Sequence, residues 1–394
     1  MSDATLREVV AALAPLERGA GSRGETEAAD WLAARLRAAG APARVEAVRF
    51  HDGFARLMLP LGAIGTVAGL VSLTGRARRA TALVAGLVGF AVADDADNRW
   101  RIWRRLTTRS KATTNVIAEV GDLGAQRTLV MLAHHDAAPT GMVFDQSFQR
   151  GLARYAPWLV RRLDTSLPLW WPIIGAPLLV ALGALTGRRA LTLTGMAGGM
   201  MNTVLAADIA RNRIVPGAND NLSAVAALVA LAERLRDRPI EGLRVVLVSC
   251  GAEEVLQGGI YDYVERHLTQ LDPSSTWVLN LDTVGSPHLI MLEGEGIIRI
   301  EDYPGPAFRD LVAAAAQDAG VPLIRGQRSR TSTDSVIPAR AGYPIATIAS
   351  YDPDTKLLSN YHLPTDTPEN LDFGTVGEAV ELADTLARRL ATGV

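Results

Sequence analysis

Apolar and polar positions along this chain follow two periods, which predict helices and strands in alternation. Residues 4–17 and 24–40 carry apolar side chains at a spacing of about 3.6 with Glu and Arg between them, which predicts two amphipathic helices. A strand is predicted near 43–50, and buried strands over 113–120 and 127–134 are predicted to pair with each other. The chain therefore begins in a mixed α/β pattern.

The second half of the chain continues the alternation. Helices are predicted over 221–236, 255–267, 306–319 and 373–389, and strands over 243–250, 277–282, 288–300 (as two short strands) and 343–350. Strands that alternate with helices are typical of a sheet whose strands are joined by crossovers. The predicted fold class is α/β, with a mostly parallel central sheet sandwiched by helices.

Two apolar blocks interrupt this alternation. Each consists of two apolar runs joined by a short turn rich in arginine: 57–75 with 81–93, and 167–187 with 190–207. This pattern predicts two apolar helical hairpins inserted into the α/β fold. The predicted organisation is a catalytic domain of residues 1–50, 112–136 and 215–394, a first insertion of residues 51–111, and a second insertion of residues 137–214.

The apolar blocks allow three interpretations: association with a membrane surface, a soluble helical lid, or a homo-oligomer interface. Several runs lack charges over lengths that could span a bilayer. Five of the seven tryptophans lie at the block edges, as an interfacial belt requires: Trp100, Trp103, Trp158, Trp170 and Trp171. The run 81–93 is too short for a straight crossing before Asp94. We favour membrane association, with the lid as the next interpretation.

Composition narrows the possible partners. The net charge is −2 and the pI is about 6.3, which gives no electrostatic footprint for nucleic acid. The single cysteine, Cys250, excludes an internal disulfide and a thiolate metal cluster. The first residues include acids and lack the pattern of a secretory signal. We expect a location on the cytoplasmic side, associated with the membrane, or alternatively soluble in the cytoplasm.

Acids and histidines lie at or just beyond the ends of several apolar runs. Taken singly, each has an ordinary structural role, since Asp220 is placed to cap a helix and an acid such as Glu254 is favoured in a first helical turn. Taken together, two histidines and three carboxylates form the mixed nitrogen and oxygen set that Zn²⁺ accepts. The candidate metal ligands are His134, Asp220, Glu254, Asp282 and His362.

Two further acids are candidates for catalytic roles. Alternation along the strand places His134 and Asp136 on one face and His135 on the other. An acid at this position can accept the second ring N–H of the histidine and fix its tautomer. Glu253 and Glu254 are adjacent but point differently, so Glu254 can ligate a metal while Glu253 takes a proton from metal-bound water.

The order of these motifs resembles the M28 family of zinc metallopeptidases. The motifs are H-x-D at 134–136, N-D-N-x-S at 219–223, E-E at 253–254, N-L-D at 280–282 and Y-H-x-P-x-D-T at 361–367. The resemblance implies a zinc aminopeptidase-like fold and two Zn²⁺ per chain. It implies one zinc on His134 and Asp282, another on Glu254 and His362, a bridging Asp220, Glu253 as general base or acid, and Asp136 orienting His134.

The resemblance further implies a metallo-hydrolase, an aminopeptidase that cleaves a peptide or small amide with a metal-bridging water activated by Glu253. A glutaminyl-cyclase-like acyltransferase with one zinc, and a hydrolase of N-acylated or lipophilic amides at a membrane surface, stay open. A non-enzymatic receptor domain is disfavoured because every ligand position is filled. Two features depart from the family: Asp334 is followed by Ser335 where many members carry His, and the long connection from Asp136 to Asp220 must lie over or beside the active site.

Overall fold

A central sheet runs through the computed structural model of the chain, which describes residues 3–160, 162, 165–166 and 168–393. The strands are β1 (Ala43–His51), β2 (Ser110–Gly121), β3 (Thr128–His134), β4 (Arg244–Cys250), β5 (Thr276–Leu281), β6 (His288–Glu295), β7 (Glu301–Asp302), β8 (Ile324–Ser329) and β9 (Ile345–Tyr351). Their order across the sheet is β1-β2-β4-β3-β5-β9-β6-β7, and β8 pairs with β6.

The parallel part of the sheet is its centre. Strands β4, β3, β5 and β9 run parallel to one another, whereas β1, β2 and β6 join the sheet by antiparallel pairing. The predicted pairing of 113–120 with 127–134 is wrong, because β4 lies between these strands. Strand β3 pairs with β4 on one edge and with β5 on the other, and all seven of its residues are buried. Both edges of β3 are therefore occupied, and β2 and β3 do not form a hairpin.

Helices cover both faces of the sheet, which confirms the α/β class. The helices are α1 (Ala4–Leu13), α2 (Arg23–Ala38), α3 (Phe54–Leu73), α4 (Arg78–Asp97), α5 (Ile102–Thr107), α6 (Ser147–Tyr155), α7 (Pro157–Val160), α8 (Trp170–Thr186), α9 (Arg189–Ile209), α10 (Ser223–Asp237), α11 (Gly258–Arg266), α12 (Pro306–Asp318), α13 (Val336–Arg340) and α14 (Phe373–Thr392). Helices α1, α2, α10, α12 and α14 bury one core against the sheet, and α11 and α13 bury the other.

The two apolar blocks fold together. Helices α3 and α4 from the first block pack against α8 and α9 from the second, which makes one four-helix bundle. The helices approach closely where glycines face each other. A Cβ on Gly199 would lie 2.9 Å from Thr66 Oγ1 and 3.3 Å from the carbonyl oxygen of Gly62. A larger residue at Gly199 would therefore push α9 away from α3.

Helix α4 is longer than its apolar run. The apolar run ends at Ala93, but the helix continues to Asp97. Asp94 accepts hydrogen bonds from the backbone N–H groups of Arg101 and Ile102, at 3.1 and 2.6 Å. Asp95 forms a fully buried two-point ion pair with Arg104, at 2.7 and 2.9 Å. These partners satisfy the two carboxylates, which lets the helix continue through them.

Candidate metal centre

The carboxyl ends of the parallel strands bring most of the candidate residues to one crevice. His134 is the last residue of β3, Asp282 directly follows β5, and Glu253 and Glu254 follow β4 in a short 3₁₀ turn. Ligand sites of open α/β sheets form at this edge. Asp220 lies in the turn that leads into α10.

Asp220 lies between the two histidines. One of its carboxylate oxygens is 3.2 Å from Nε2 of His134, and the other is 3.1 Å from Nε2 of His362. The same His362 nitrogen is 3.2 Å from Glu254 Oε2. The donor atoms of His134, Asp220 and Glu254 all lie within 4.8 Å of one another. These four side chains therefore converge on a common centre, with Asp220 in the middle.

Asp282 and Glu253 line the same cavity without joining that tight cluster. The cavity has a volume of about 170 Å³ and is bounded by His134, Asp220, Glu253, Glu254 and Asp282. Asp282 accepts a hydrogen bond from Thr283 Oγ1 at 2.8 Å. Glu253 is 7% exposed, and one of its oxygens accepts a hydrogen bond from Gln257 Nε2 at 2.9 Å. Its other oxygen accepts no hydrogen bond from the residues that the structure describes.

Asp136 connects the two strand ends that carry the site. Its two carboxylate oxygens accept hydrogen bonds from the backbone N–H groups of Glu253 and Glu254, both at 3.0 Å. One of them also lies 3.4 Å from Nδ1 of His134. His135 points to the opposite face, where its Nδ1 is 3.0 Å from Ser249 Oγ. Asp136 therefore holds the turn that carries the acidic pair against the end of β3, and its carboxylate lies beside the His134 ring.

We expect Asp136→Asn to weaken metal binding about 10- to 100-fold, the loss typical of a changed partner of a ligand. The amide keeps the size of the side chain but cannot accept hydrogen bonds on both of its terminal atoms, so one backbone N–H loses its partner. Competition with a chelator of known affinity would measure the change. Affinity equal to that of the natural protein would exclude a positioning role for Asp136.

Two residues that position Asp220 were not singled out from the sequence. Asp366 accepts hydrogen bonds from the backbone N–H groups of Asn219 and Asp220, at 2.7 and 3.1 Å. Asn221 follows Asp220 through a cis peptide bond and donates from Nδ2 to the carbonyl oxygen of Leu281 at 3.1 Å. Both residues stand in the motifs at 219–223 and 361–367, which is the signal that could have identified them.

An aromatic wall closes the site beside His362. The Tyr361 ring stacks on the imidazole at a centroid distance of 3.9 Å, and the Phe144 ring meets it edge-on at 4.3 Å. Phe144 belongs to the long connection between Asp136 and Asp220. Part of that connection therefore contacts a candidate metal ligand directly.

The electrostatics of the centre favour a bound cation. Burial lowers the pKa of His362, but the carboxylates of Glu254 and Asp220 outweigh burial and raise it to about 10. Burial raises the pKa of both Glu254 and Asp282, and the charge of Asp220 raises it further. So many carboxylates in one buried cavity are costly unless positive charge compensates them.

The donor set fits zinc. Imidazole nitrogens and carboxylate oxygens are ligands that Zn²⁺ takes at short distances. Glu254 Oε1 is buried and has no hydrogen-bond partner among the described residues, as expected of an atom that is held for a metal. His134, Asp220, Glu254 and His362 are therefore placed to hold a metal, with Asp282 at the edge of the same cavity.

Comparison with known proteins agrees with this geometry. Residues 202–387 match the model of Peptidase family M28. No curated protein sequence matches the chain.

Solved structures of low sequence identity share the fold. A Bacteroides thetaiotaomicron glutaminyl cyclase bound to N-acetylhistamine has 13% identity and a TM-score of 0.58, covering 98% of this chain and 97% of that one. A leucine aminopeptidase precursor from the same organism has 14% identity and a TM-score of 0.57 over the same shares. An aminopeptidase from Aneurinibacillus sp. strain AM-1 has 14% identity and a TM-score of 0.56, covering 98% and 93%.

These findings confirm the zinc aminopeptidase-like fold, which aminopeptidases and glutaminyl cyclases share. The fold alone therefore does not choose between hydrolysis and cyclisation. The family match does reach the region that carries Asp220, Glu253, Glu254, Asp282 and His362. The resemblance to peptidase family M28 is thus confirmed over residues 202–387, and the chain is a metallo-hydrolase.

Proposed function

We propose that this protein is a dinuclear zinc-dependent peptidase that acts as an aminopeptidase on peptides or small amides. The observation that carries the proposal is the position of Asp220, which presents one carboxylate oxygen to each histidine, at 3.2 and 3.1 Å. A carboxylate with a separate histidine on each oxygen suits a bridge between two ions. One ion would be held by His134 and Asp282, and the other by Glu254 and His362.

Bound zinc supplies Lewis acidity and lowers the pKa of water in this kind of site. Glu253 is the residue that moves the proton. Gln257 holds one oxygen of Glu253, which leaves the other free to accept a proton from the attacking water. Burial raises the pKa of Glu253, and the negative charges of Asp334 and Glu254 raise it further. A carboxylate with a raised pKa is a stronger base toward the attacking water and can then return the proton to the leaving amine.

We expect two zinc atoms per chain in metal-replete protein, and chelation should abolish cleavage of aminoacyl amides. Re-addition of zinc should restore activity in proportion to occupancy. Mass spectrometry of the metal content and a screen of aminoacyl and N-acylated amides measure this. One zinc per chain together with cyclisation of N-terminal glutamine would replace the peptidase proposal by the glutaminyl-cyclase-like alternative.

We also propose that the four-helix bundle is embedded in a bilayer. Large apolar side chains are exposed on all four helices, among them Leu70 at 54%, Leu87 at 58%, Leu185 at 64% and Met200 at 59%. Helices α3 and α9 are long and apolar enough to cross a membrane by length and composition. Because each hairpin enters and leaves on the same side, the catalytic domain assembles on a single side of the bilayer.

Basic residues mark both ends of the bundle. The turns of the two hairpins meet at its tip, where a Cβ on Gly187 would lie 3.2 Å from Arg78 Nη1. These turns carry Arg76, Arg78, Arg79, Arg188 and Arg189, which suit anionic headgroups. More arginines follow α4 and α9 at the base: Arg99, Arg105, Arg109, Arg211 and Arg213. We propose that the catalytic domain lies on the cytoplasmic side of the bilayer.

We expect the protein to stay in the membrane fraction through high salt and alkaline carbonate. Leu87→Glu should reduce that retention, because it places a charge on the proposed lipid-facing surface. Leu123→Glu is a matched control, since Leu123 is equally exposed at 57% but lies on the catalytic domain. Recovery of the natural protein as a monodisperse soluble monomer without detergent would refute the membrane proposal, and a soluble dimer would favour the oligomer interface.

A further inference from the structure

A large cavity joins the candidate metal centre to the interior of the helix bundle. Its volume is about 500 Å³, within the range of about 300–1,000 Å³ typical of small-molecule sites. At one end it is lined by Glu253, Glu254 and His362. At the other end every bundle helix contributes apolar wall, for example Met58, Val92, Ile173 and Ile209.

The bundle end of the cavity offers little to a polar ligand. The one amide of this region among the described lining residues, Asn202, already donates from Nδ2 to the carbonyl oxygen of Ile173 at 3.3 Å. Four glycines line the space, Gly62, Gly65, Gly195 and Gly199, so no side chain from these positions fills it. Moving an apolar ligand from water into an apolar cavity is favourable in free energy.

The cavity and the smaller cavity of the metal centre share walls at Glu253, Glu254 and Tyr361. A molecule whose amide lies beside Glu253 can therefore extend an apolar part into the bundle. A bundle with exposed leucines on its outer surface would also meet such molecules in a bilayer, where they concentrate. The position of the cavity and the apolar surface of the bundle therefore favour the same class of ligand, an amide with an apolar part.

Building on the hydrolase function proposed above, we propose that the substrates are amides that carry a long unbranched aliphatic chain, and that the bundle cavity holds this chain. The chain could be part of the acyl group or part of the leaving amine. Both have the same aliphatic chemistry, so experiments must distinguish them. Either way, the inserted bundle acts as the specificity element of the enzyme.

Two substrate series test the proposal on zinc-replete, full-length protein in phosphatidylcholine nanodiscs. One series consists of N-acyl amino acids from acetyl to myristoyl, and the other of leucine n-alkylamides from ethyl to tetradecyl. We expect kcat/KM to rise about 4-fold per added methylene in one series until the cavity is full, as apolar burial predicts. A response in the alkylamide series places the chain on the leaving amine and agrees with an aminopeptidase. A response in the N-acyl series places the chain on the acyl group and replaces the aminopeptidase by a hydrolase of N-acylated amides.

Binding is measured separately from turnover. A fluorescent long-chain fatty acid should bind to the zinc-stripped protein and be displaced by longer, better than by shorter, chains. Gly65→Leu should abolish this binding, because its side chain would extend into the cavity. A Cβ at this position lies at ordinary contact distance, 3.7 Å, from Pro177 Cβ and Val88 Cγ1, and both of these residues line the cavity.

Gly86→Leu is the matched control. Gly86 belongs to α4, does not line the cavity, and has nothing within 4 Å of an added Cβ. We expect it to keep both fatty-acid binding and the dependence on chain length. If Gly65→Leu fails to fold by circular dichroism, Ala206→Leu serves as a second obstruction, since Ala206 also lines the cavity.

The outcomes separate this inference from the proposed function. The inference is overturned if the rate of hydrolysis does not depend on chain length and both glycine variants still bind the fatty acid. The peptidase proposal is unaffected by that result. The site for the aliphatic chain is supported if Gly65→Leu loses fatty-acid binding and Gly86→Leu keeps it. If the protein then hydrolyses no amide, the proposed function is overturned.

Discussion

Replacing Glu253 by glutamine is expected to lower kcat by roughly two to four orders of magnitude, the usual contribution of general acid–base catalysis. The amide has the same shape but cannot accept the proton of the attacking water or return it to the leaving amine. Zinc content should stay the same, because the ligand cluster is formed by His134, Asp220 and Glu254 without Glu253. Steady-state kinetics on an aminoacyl amide, with metal analysis of the same sample, measure both effects.

Glu295→Gln provides the control for Glu253→Gln. Glu295 is also a buried glutamate, 2% exposed, and burial raises its pKa to about 7, but it does not line either cavity. Its replacement makes the same chemical change behind the cavity wall, where Glu295 accepts a hydrogen bond from Thr333 Oγ1, so we expect a kcat close to that of the natural protein. Equal activity of Glu253→Gln and the natural protein would remove Glu253 from the mechanism.

The strand-end residues of the candidate metal centre could be predicted to lie together from the sequence alone. Ends of parallel strands meet at one edge of a sheet, so strand-end positions such as His134 and Asp282 could be placed together without a structure. Asp220 and His362 lie in turns, and the resemblance to a known family supplied their roles. Asp366 was missed as a partner because it acts through backbone N–H groups, which leave no mark on the pattern of residue types.

The order of the strands could not be predicted in the same way. The apolar run of β4 indicates a buried strand but does not say which neighbours it takes, and it separates β2 from β3. The carboxylates of Asp94 and Asp95 likewise indicate a helix end until their partners are known. Arg104 and the N–H groups that follow α4 satisfy them, and these contacts depend on tertiary structure.

The packing of the two apolar blocks could not be predicted from hydrophobic periodicity. The sequence predicted two helical hairpins, but apolarity on every side of a helix does not say which side meets another helix. The structure packs the hairpins against each other and encloses a cavity that reaches Glu253. The bundle therefore has two apolar surfaces with separate uses: the outer one faces its surroundings, and the inner one faces the active site.

Replacing Asp220 by alanine is expected to remove most of the bound metal and reduce hydrolysis to background. Asp220 is the side chain that lies between both histidines, so its loss takes one ligand from each proposed zinc. We expect each affinity to fall by more than the ~100-fold typical of changes in residues that only support a ligand. Metal analysis after dialysis against buffered zinc measures the loss.

Two variants make the test of Asp220 specific. Asp384→Ala removes an equally buried carboxylate, since both aspartates are 3% exposed, but Asp384 lies on α14, pairs with Arg238 and Arg388, and lines neither cavity. It should lower stability while the zinc content stays at two. Asp282→Ala should cost one zinc and leave the site of Glu254 and His362 filled. Loss of a single zinc from Asp220→Ala would contradict the bridge, because a ligand of one ion alone would release that ion and leave the other in place.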